Sequence, residues 1–509
     1  MFLGQDYSKM AETAIGSHFE TKVMNILEGS SHNGVPEEIA TTSNNDSVVV
    51  PSHPLGIKPN GNAYTANESL KSAAGYFAVL PDELLVQVLE CLDAKSLRKI
   101  ECSCKALYAF SRLEDLWKTL CIESISSLLA WYGTWRSTYL GVPGSGASQV
   151  SCRNLFSDIL HRPFYCAHTS LSPYISNIPA SNSITRLSDI SALDFTSAWT
   201  DKPFILTSPV REWPIYQEWS TEFMLQKYGD VKFRAEAVDW PLKTYVDYLK
   251  NNQDESPLYL FDCSFVEKMN LDVRKGGQYW PPETFGKDLF AVLGDQRPDS
   301  RWLIVGPERS GSTFHKDPNA TSAWNAVLKG SKYWIMFPTS PPQPPPPGVF
   351  VSEDQSEVTS PLSIAEWLLG FHAEARETPG CQEGICNEGE VLHVPSGWWH
   401  LVVNLEPSIA ITQNFVPEAH LTNVLDFLKN KPDQISGFKK DVKNPYELFT
   451  QKMVELHPGL LKKALGELER AQAGKKRKWD ALVNDVQGND NNTGAFSFDF
   501  GDADREEVP

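Results

Sequence analysis

No run of eighteen or more apolar residues occurs in the chain, so it holds no segment able to cross a bilayer as a helix. The opening residues, MFLGQDYSKMAETAIG, lack a basic stretch followed by a long apolar one, which argues against a secretory leader and predicts an intracellular protein. Cysteine is sparse and odd in number, nine in 509 residues, without the pairs of pairs that build a zinc site. Free thiols in a reducing compartment, and no disulfides, are expected. Positive charge is also short: 46 Lys and Arg against 64 Asp and Glu leave a net charge of -18, whose field opposes general binding to nucleic acid. Walker-type loops, GxSxG elbows and dinucleotide fingerprints are missing from any supporting context.

What is present is enough apolar material for a sizeable core: 41% hydrophobic residues and fifteen Trp. At about 150 residues per domain the length suggests roughly three units, or one folded body with appendages. Residues 1–75 are rich in Ser, Asn, Thr, Gly and Pro, cannot offset the entropy of ordering, and are expected to be disordered. Residues 473–509 are expected to be a disordered tail, carrying a basic cluster, Lys475-Lys476-Arg477-Lys478, within an otherwise acidic segment. That cluster reads either as a solvated charge run or as a nuclear import signal, which predicts a nuclear protein with the cytoplasm as second compartment.

Order is expected from Tyr76. In LPDELLVQVLECLD, Pro81 suits a first helical turn, Asp82 and Glu83 favour the positive end of the dipole, and Leu84, Val88 and Leu92 recur at helical spacing. Asp93 can cap a second helix through Leu97 and Ile100, and a third runs through Leu107 and Phe110. This all-helical unit, residues 76–124, resembles an F-box in its Leu80-Pro81-Asp82-Glu83-Leu84 opening, Leu92-Asp93 junction, Cys104-Lys105 and closing Leu116-Trp117. The resemblance implies docking on the Skp-type linker of a cullin ubiquitin ligase through residues 76–121. The plainer alternative is that the helices only pack on the domain behind them.

Residues 125–194, with Leu128-Leu129-Ala130-Trp131-Tyr132 and GVPGSGASQVS, read as a connector. From 195 to 430 the texture changes to short runs rich in β-branched and aromatic residues: PFILTSPV, SPLYLFD, RWLIVGP, KYWIMFP, EVLHVP, WHLVVNL and SIAITQNF. Bounded by Gly, Pro, Asp or Asn, they predict a closed antiparallel barrel or a double-sheet roll. A Pro-rich connector and a capped helix, SPLSIAEWLLGFHAEA, interrupt them. Helical periodicity returns in LTNVLDFLKN and in an extension over 431–472. The expected class is thus mixed α and β, a catalytic barrel with helices at both ends.

His315 and Asp317 stand two apart in GSTFHKDP, a spacing that puts both side chains on one face of a strand. His400, opening a later strand after Ser396-Gly397-Trp398-Trp399, can complete a facial set of two His and one carboxylate. Open positions opposite such a set suit Fe(II), dioxygen and a chelating cosubstrate. About half an HxD is expected by chance in a chain of this composition, so the weight comes from its company. Lys332 opens KYWIMFP, and a cation inside a barrel needs an anion such as the far carboxylate of 2-oxoglutarate. Thr412 shares a strand face with Ala410 and Asn414 and can assist it. His393, on EVLHVP, is the next candidate ligand but reads more simply as a hydrogen-bonded structural residue. Cys381 and Cys386 sit in CQEGIC, read as a Gly-containing loop with free thiols; Trp398 and Trp399 read as walls of the site.

Together, SPLYLFD, RWLIVGPERSGSTFHKDP, TSAWNAVLKGSKYWIMFPTS, VPSGWWH and NLEPSIAITQNF resemble the Jumonji-C branch of the Fe(II)- and 2-oxoglutarate-dependent oxygenases. The nearest likeness is to its arginine demethylases and lysyl-hydroxylases, one of which was once described as a phosphatidylserine receptor. The resemblance implies a double-stranded β-helix (cupin) core, iron held by His315, Asp317 and His400, and 2-oxoglutarate held by Tyr259, Asn325, Lys332 and Thr412. Ser312 stands where the relatives carry Thr and keeps the hydroxyl. The expected activity is hydroxylation, lysyl in the first instance, or demethylation of a protein side chain, with O2 as cosubstrate. The alternative is a ligase receptor whose barrel only recognises a client.

Overall fold

Two β-sheets face each other across an apolar interior in the computed structural model, which describes residues 50–124, 130–143, 150–339, 344–471 and 473. The strands are β1 (Thr185–Leu187), β2 (Phe204–Leu206), β3 (Lys232–Ala235), β4 (Val238–Pro241) and β5 (Leu260–Asp262). There follow β6 (Arg301–Gly306), β7 (Gly311–His315), β8 (Ser322–Lys329), β9 (Lys332–Phe337) and a short hairpin of β10 (Phe350–Val351) and β11 (Val358–Thr359). The last are β12 (Gln382–Cys386), β13 (Val391–Val394), β14 (Trp399–Asn404) and β15 (Ser408–Phe415). One sheet runs β1-β2-β13-β8-β15-β6-β5-β3-β4 and the other β12-β9-β14-β7. Between them Ile205, Val327 and Leu392 of the first meet Trp334, Met336 and Val402 of the second, all buried. This is the double-sheet roll, with every quoted apolar run supplying a strand.

The N-terminal helices are α1 (Asp82–Glu90), α2 (Ala94–Ile100), α3 (Lys105–Phe110) and α4 (Glu114–Glu123). Asp93 caps α2 by accepting from the Ser96 amide at 2.8 Å. In α1 the residues that enter the core are Leu85 and Leu89, whereas Leu84 and Val88 remain 48% and 42% exposed. The periodic apolar stripe therefore serves two surfaces, one inward and one bare.

Three expectations are corrected. Residues 50–75, read as disordered, pack on the body: Ile57 is buried, the Lys58 amide donates to the Leu155 carbonyl, and Leu70 binds Asn154 in the same way. A few anchored apolar residues in a polar segment suffice because their backbone groups find partners. The stretch CQEGIC is not a loop but strand β12, antiparallel to β9. The connector over 125–194 contributes β1, parallel to β2, so the sheet begins before residue 195. The 1–49 segment, Leu128-Leu129, the GSGASQ stretch over 144–149 and the Lys475–Lys478 cluster lie outside the described residues.

No sharp boundary separates the helices from the roll. A further helix, α5 (Trp135–Leu140), inserts Trp135 among Trp131, Trp240 and Tyr248, and its indole N–H donates to Asp254 at 2.9 Å. Tyr248 donates to the same carboxylate at 2.7 Å. Behind it, Glu114 accepts from the Trp135 amide at 2.6 Å, while burial pushes its carboxyl up to about 7 from 4.5. A carboxyl raised on folding binds its proton more tightly in the native chain, so its contribution is full below about 4.5 and lost as pH rises through about 7. Relative to Glu114→Gln, the natural chain should therefore lose about 3 kcal/mol of stability between these values. Urea midpoints of both chains at acid and mildly alkaline pH measure it; a gap that does not change with pH contradicts the assignment.

Candidate functional site

His315 ends β7 and His400 lies opposite it on β14, as direct cross-strand partners with ring centroids 4.1 Å apart. Asp317 is not on the strand itself. It lies two residues past the end of β7, where extended backbone (φ -61°, ψ 145°) still returns its carboxylate to the two imidazoles. One ligand atom from each of the three residues lies within 4.8 Å of the others, the one such cluster among the described residues.

The electrostatics suit a divalent cation. Burial lowers both His315 and His400 to about 4, keeping them neutral. Each Nδ1 faces a backbone carbonyl, Thr313 at 2.8 Å and Trp398 at 3.1 Å. Those carbonyls place the proton on Nδ1, which leaves the Nε2 lone pair for a ligand. Burial pushes the Asp317 carboxyl up to about 6, and its Oδ2 is buried without a hydrogen-bond partner. A cation at this point would satisfy that oxygen and restore the carboxylate, so the donor set fits the metal that the resemblance implies.

Strand register explains how the other residues reach the same interior. Ser312 would face outward by simple alternation from His315, but a bulge lets three residues of β7 span two of β14. Ser312 is thereby paired with Val402 on the inner face. Lys332 is wholly buried at the start of β9, and its ammonium donates to Tyr259 (2.7 Å), Asn404 (2.6 Å) and Ser408 (3.0 Å). All three partners are neutral oxygens, and burial pushes Lys332 down to about 7. Asn325 and Thr412 are cross-strand partners on β8 and β15; the Asn325 Oδ1 is buried without a partner, and Thr412 donates to the Trp324 carbonyl at 2.9 Å.

Asn404 and Ser408 escaped the reading of the sequence. The signal was there: Asn404 lies four residues beyond His400 on one strand, and Ser408 four before Thr412 on another, so each shares its partner's face. Asn404 also donates to Ser310 at 2.9 Å, which orients its oxygen towards Lys332. His393 is no ligand. It lies on β13 in the opposite sheet, stacked on Phe204 at 5.0 Å and Phe285 at 5.6 Å. Trp399 packs outward with Phe314 and Trp367 as a wall, under the Lys316 ammonium at 4.6 Å. Cys381 and Cys386 are buried free thiols; burial raises the first to about 12.

A lone buried ammonium should titrate with its ligand. Below about 7 Lys332 is charged and would receive a carboxylate; above it the free chain would have to take up a proton to bind one. Affinity for 2-oxoglutarate should therefore fall as pH rises from 6 to 9, by up to about tenfold per unit above the lowered value. Lys332→Met should bind about 30-fold or more weakly with no such slope. Calorimetric titration of the iron-loaded chain under argon measures both; a flat profile in the natural chain would count against Lys332 as the carboxylate partner.

Comparison with known proteins matches the geometry. Residues 196–420 match the Cupin-like domain family and residues 77–123 the F-box-like family. The arginine-specific demethylase JMJ22 of Arabidopsis thaliana is 38% identical over 457 residues, covering 86% of this chain and 89% of the relative. The bifunctional arginine demethylase and lysyl-hydroxylase psr-1 of Caenorhabditis elegans is 33% identical, covering 50% of this chain and 64% of its own. The 2-oxoglutarate and iron-dependent oxygenase JMJD4 of Danio rerio is 28% identical, with 40% and 47% covered.

Proposed function

The chain belongs to the cupin-like Jumonji-C family of Fe(II)- and 2-oxoglutarate-dependent oxygenases, and from that premise we propose that it oxidises a long cationic side chain of a protein substrate. His315, Asp317 and His400 would hold the iron; Lys332, with Tyr259, Asn404 and Ser408 around it, would take the far carboxylate of 2-oxoglutarate, and Ser312, Asn325 and Thr412 would line its bed. Bound iron would couple conversion of O2 and 2-oxoglutarate to succinate and CO2 with insertion of the second oxygen atom into a substrate C–H bond. The protein's part is to keep both imidazoles neutral, to pair the cosubstrate's charge away from water and to leave one face of the triad open.

The observation that carries this reading is the buried Lys332 surrounded by neutral groups on the same inner face as a clustered His-Asp-His set. Lysyl hydroxylation and removal of an N-methyl group from arginine share one event, oxygen insertion beside a nitrogen or along an alkyl stem. They part at the product: a stable alcohol, or a hemiaminal that releases formaldehyde. Incubating the iron-loaded chain with lysine and methylarginine peptides separates them by mass. Gain of one oxygen on lysine supports hydroxylation, and loss of a methyl carbon with formaldehyde supports demethylation. Succinate formed with neither peptide altered counts against both substrates.

The bare stripe on α1 supports a second role. Residues 77–123 would dock a Skp-type linker and so join the oxygenase to a ubiquitin ligase. A receptor without turnover is the weaker alternative, because the donor set and the buried lysine serve no purpose in it. The Lys475–Lys478 cluster supports nuclear import, which a fluorescent fusion with and without those residues would test.

A further inference from the structure

Beyond the catalytic roll, helix α6 (Leu421–Asn430) leads through a turn to helix α7 (Pro445–Leu456). The turn and the two helix ends enclose a groove of about 620 Å³. Its floor is apolar and aromatic, with Leu428, Ile435, Phe438 and Tyr446, while its walls carry Lys429, Lys439, Lys440 and Lys443. None of these four ammonium groups is paired with a carboxylate among the described residues, although the chain as a whole is strongly acidic. Four like charges without counter-ions repel one another, and an anionic ligand would relieve that repulsion.

The groove is tied to the turn that follows Asp317. Ser436 in its lining exchanges two hydrogen bonds with the Asn319 side chain, at 2.9 and 3.1 Å, and Asn319 stands two residues after Asp317. The chain's last described helix, over 458–471, packs against the first of these two helices. Its Glu467 accepts from Thr422 at 3.0 Å, at the start of α6, and Leu461, Ala464 and Leu468 are buried. The next residue of α6, Asn423, bonds Ser396 at 3.4 Å, whose hydroxyl in turn binds the Ala320 carbonyl. The last described helix thus packs at one end of α6, and the groove lies at the other, about 15 Å away by the rise of a ten-residue helix.

The segment that follows has the complementary chemistry. In FSFDFGDADREE, residues 496–507, three Phe alternate at 496, 498 and 500, and Asp499, Asp502, Asp504, Glu506 and Glu507 supply five carboxylates against one Arg. The residues between 473 and 496 can reach about 75 Å, several times the distance needed. We propose that this acidic-aromatic segment seats in the lysine-walled groove of its own chain, with phenyl rings on the apolar floor and carboxylates against the four lysines. Tethering makes the contact intramolecular, at an effective concentration near the millimolar range, so modest intrinsic affinity suffices.

The test uses a fluorescein-labelled peptide of residues 494–509 and two chains, the full one and one ending at residue 490. The shorter chain should bind the peptide in fluorescence anisotropy, with affinity falling as salt is raised. The full chain should bind it about tenfold or more weakly, because its own segment competes. Reversing Lys439, Lys440 and Lys443 to Glu in the shorter chain should abolish binding while its melting temperature and its peptide-independent succinate release stay unchanged. Failure of the shorter chain to bind, equal binding by the two chains, or binding that survives the charge reversal would each overturn the proposal. Peptide capture accompanied by dimerisation of the full chain in sedimentation would also overturn it, by making a second copy the occupant.

Discussion

Each of His315→Ala, Asp317→Ala and His400→Ala should abolish iron-dependent succinate release, by about a thousandfold or more, while the chain stays folded. Removing one of the three residues that would hold the metal should loosen it. Stability should move the other way from activity at one position. Asp317 holds a buried carboxyl whose Oδ2 has no partner, so in the metal-free chain its replacement should raise the melting temperature rather than lower it. The histidines are neutral and each satisfies a backbone carbonyl, so their removal should cost a little stability. Succinate release and thermal melting of the three variants, measured together, check both statements. Full activity in the His400 variant would displace the third ligand, and the structure provides no substitute in His393, which is locked between aromatic rings in the other sheet.

The second large effect concerns α1. Leu84→Asp with Val88→Asp should abolish capture of a Skp-type linker, because two apolar anchors at the centre of a docking face are each commonly worth about 2 kcal/mol or more, together about a thousandfold in affinity. Folding and succinate release should survive, since Leu85 and Leu89, not the mutated pair, enter the core. Leu85→Asp is the contrasting variant. It buries a charge in the core that runs without a break from α1 through Trp135 to the roll, and should destabilise both activities at once. Co-purification with the linker and succinate release, assayed on both variants, distinguish a docking face from mere packing. Linker capture unchanged in the double variant would place the interaction elsewhere.

How far the chain's own order of residues discloses this architecture depends on which interactions are local. The triad was legible because two ligands sit two apart and the third opens an alternating strand. Lys332 was legible because a cation in an otherwise apolar run demands a reason. Ser312 came by resemblance, and only the register of β7 against β14 explains why it faces inward, since a bulge reverses simple alternation there. β12 was misread because Gly384 and Glu383 argue against a strand. Glu383 is tolerated because Tyr333, on the paired strand β9, and Arg376, at the end of the preceding helix, hydrogen-bond its carboxylate. The packing of residues 50–75 and the Trp135–Asp254 joint rest on contacts across about a hundred residues, which no local pattern reveals.

The most direct test of the account is stoichiometric. The full chain, loaded with Fe(II) and supplied with 2-oxoglutarate, O2 and a lysine- or methylarginine-bearing protein substrate, should release one succinate for each side chain oxidised, and the His400→Ala chain should release none. A protein client bound tightly by the iron-loaded chain, with neither succinate formed nor client altered, would contradict it.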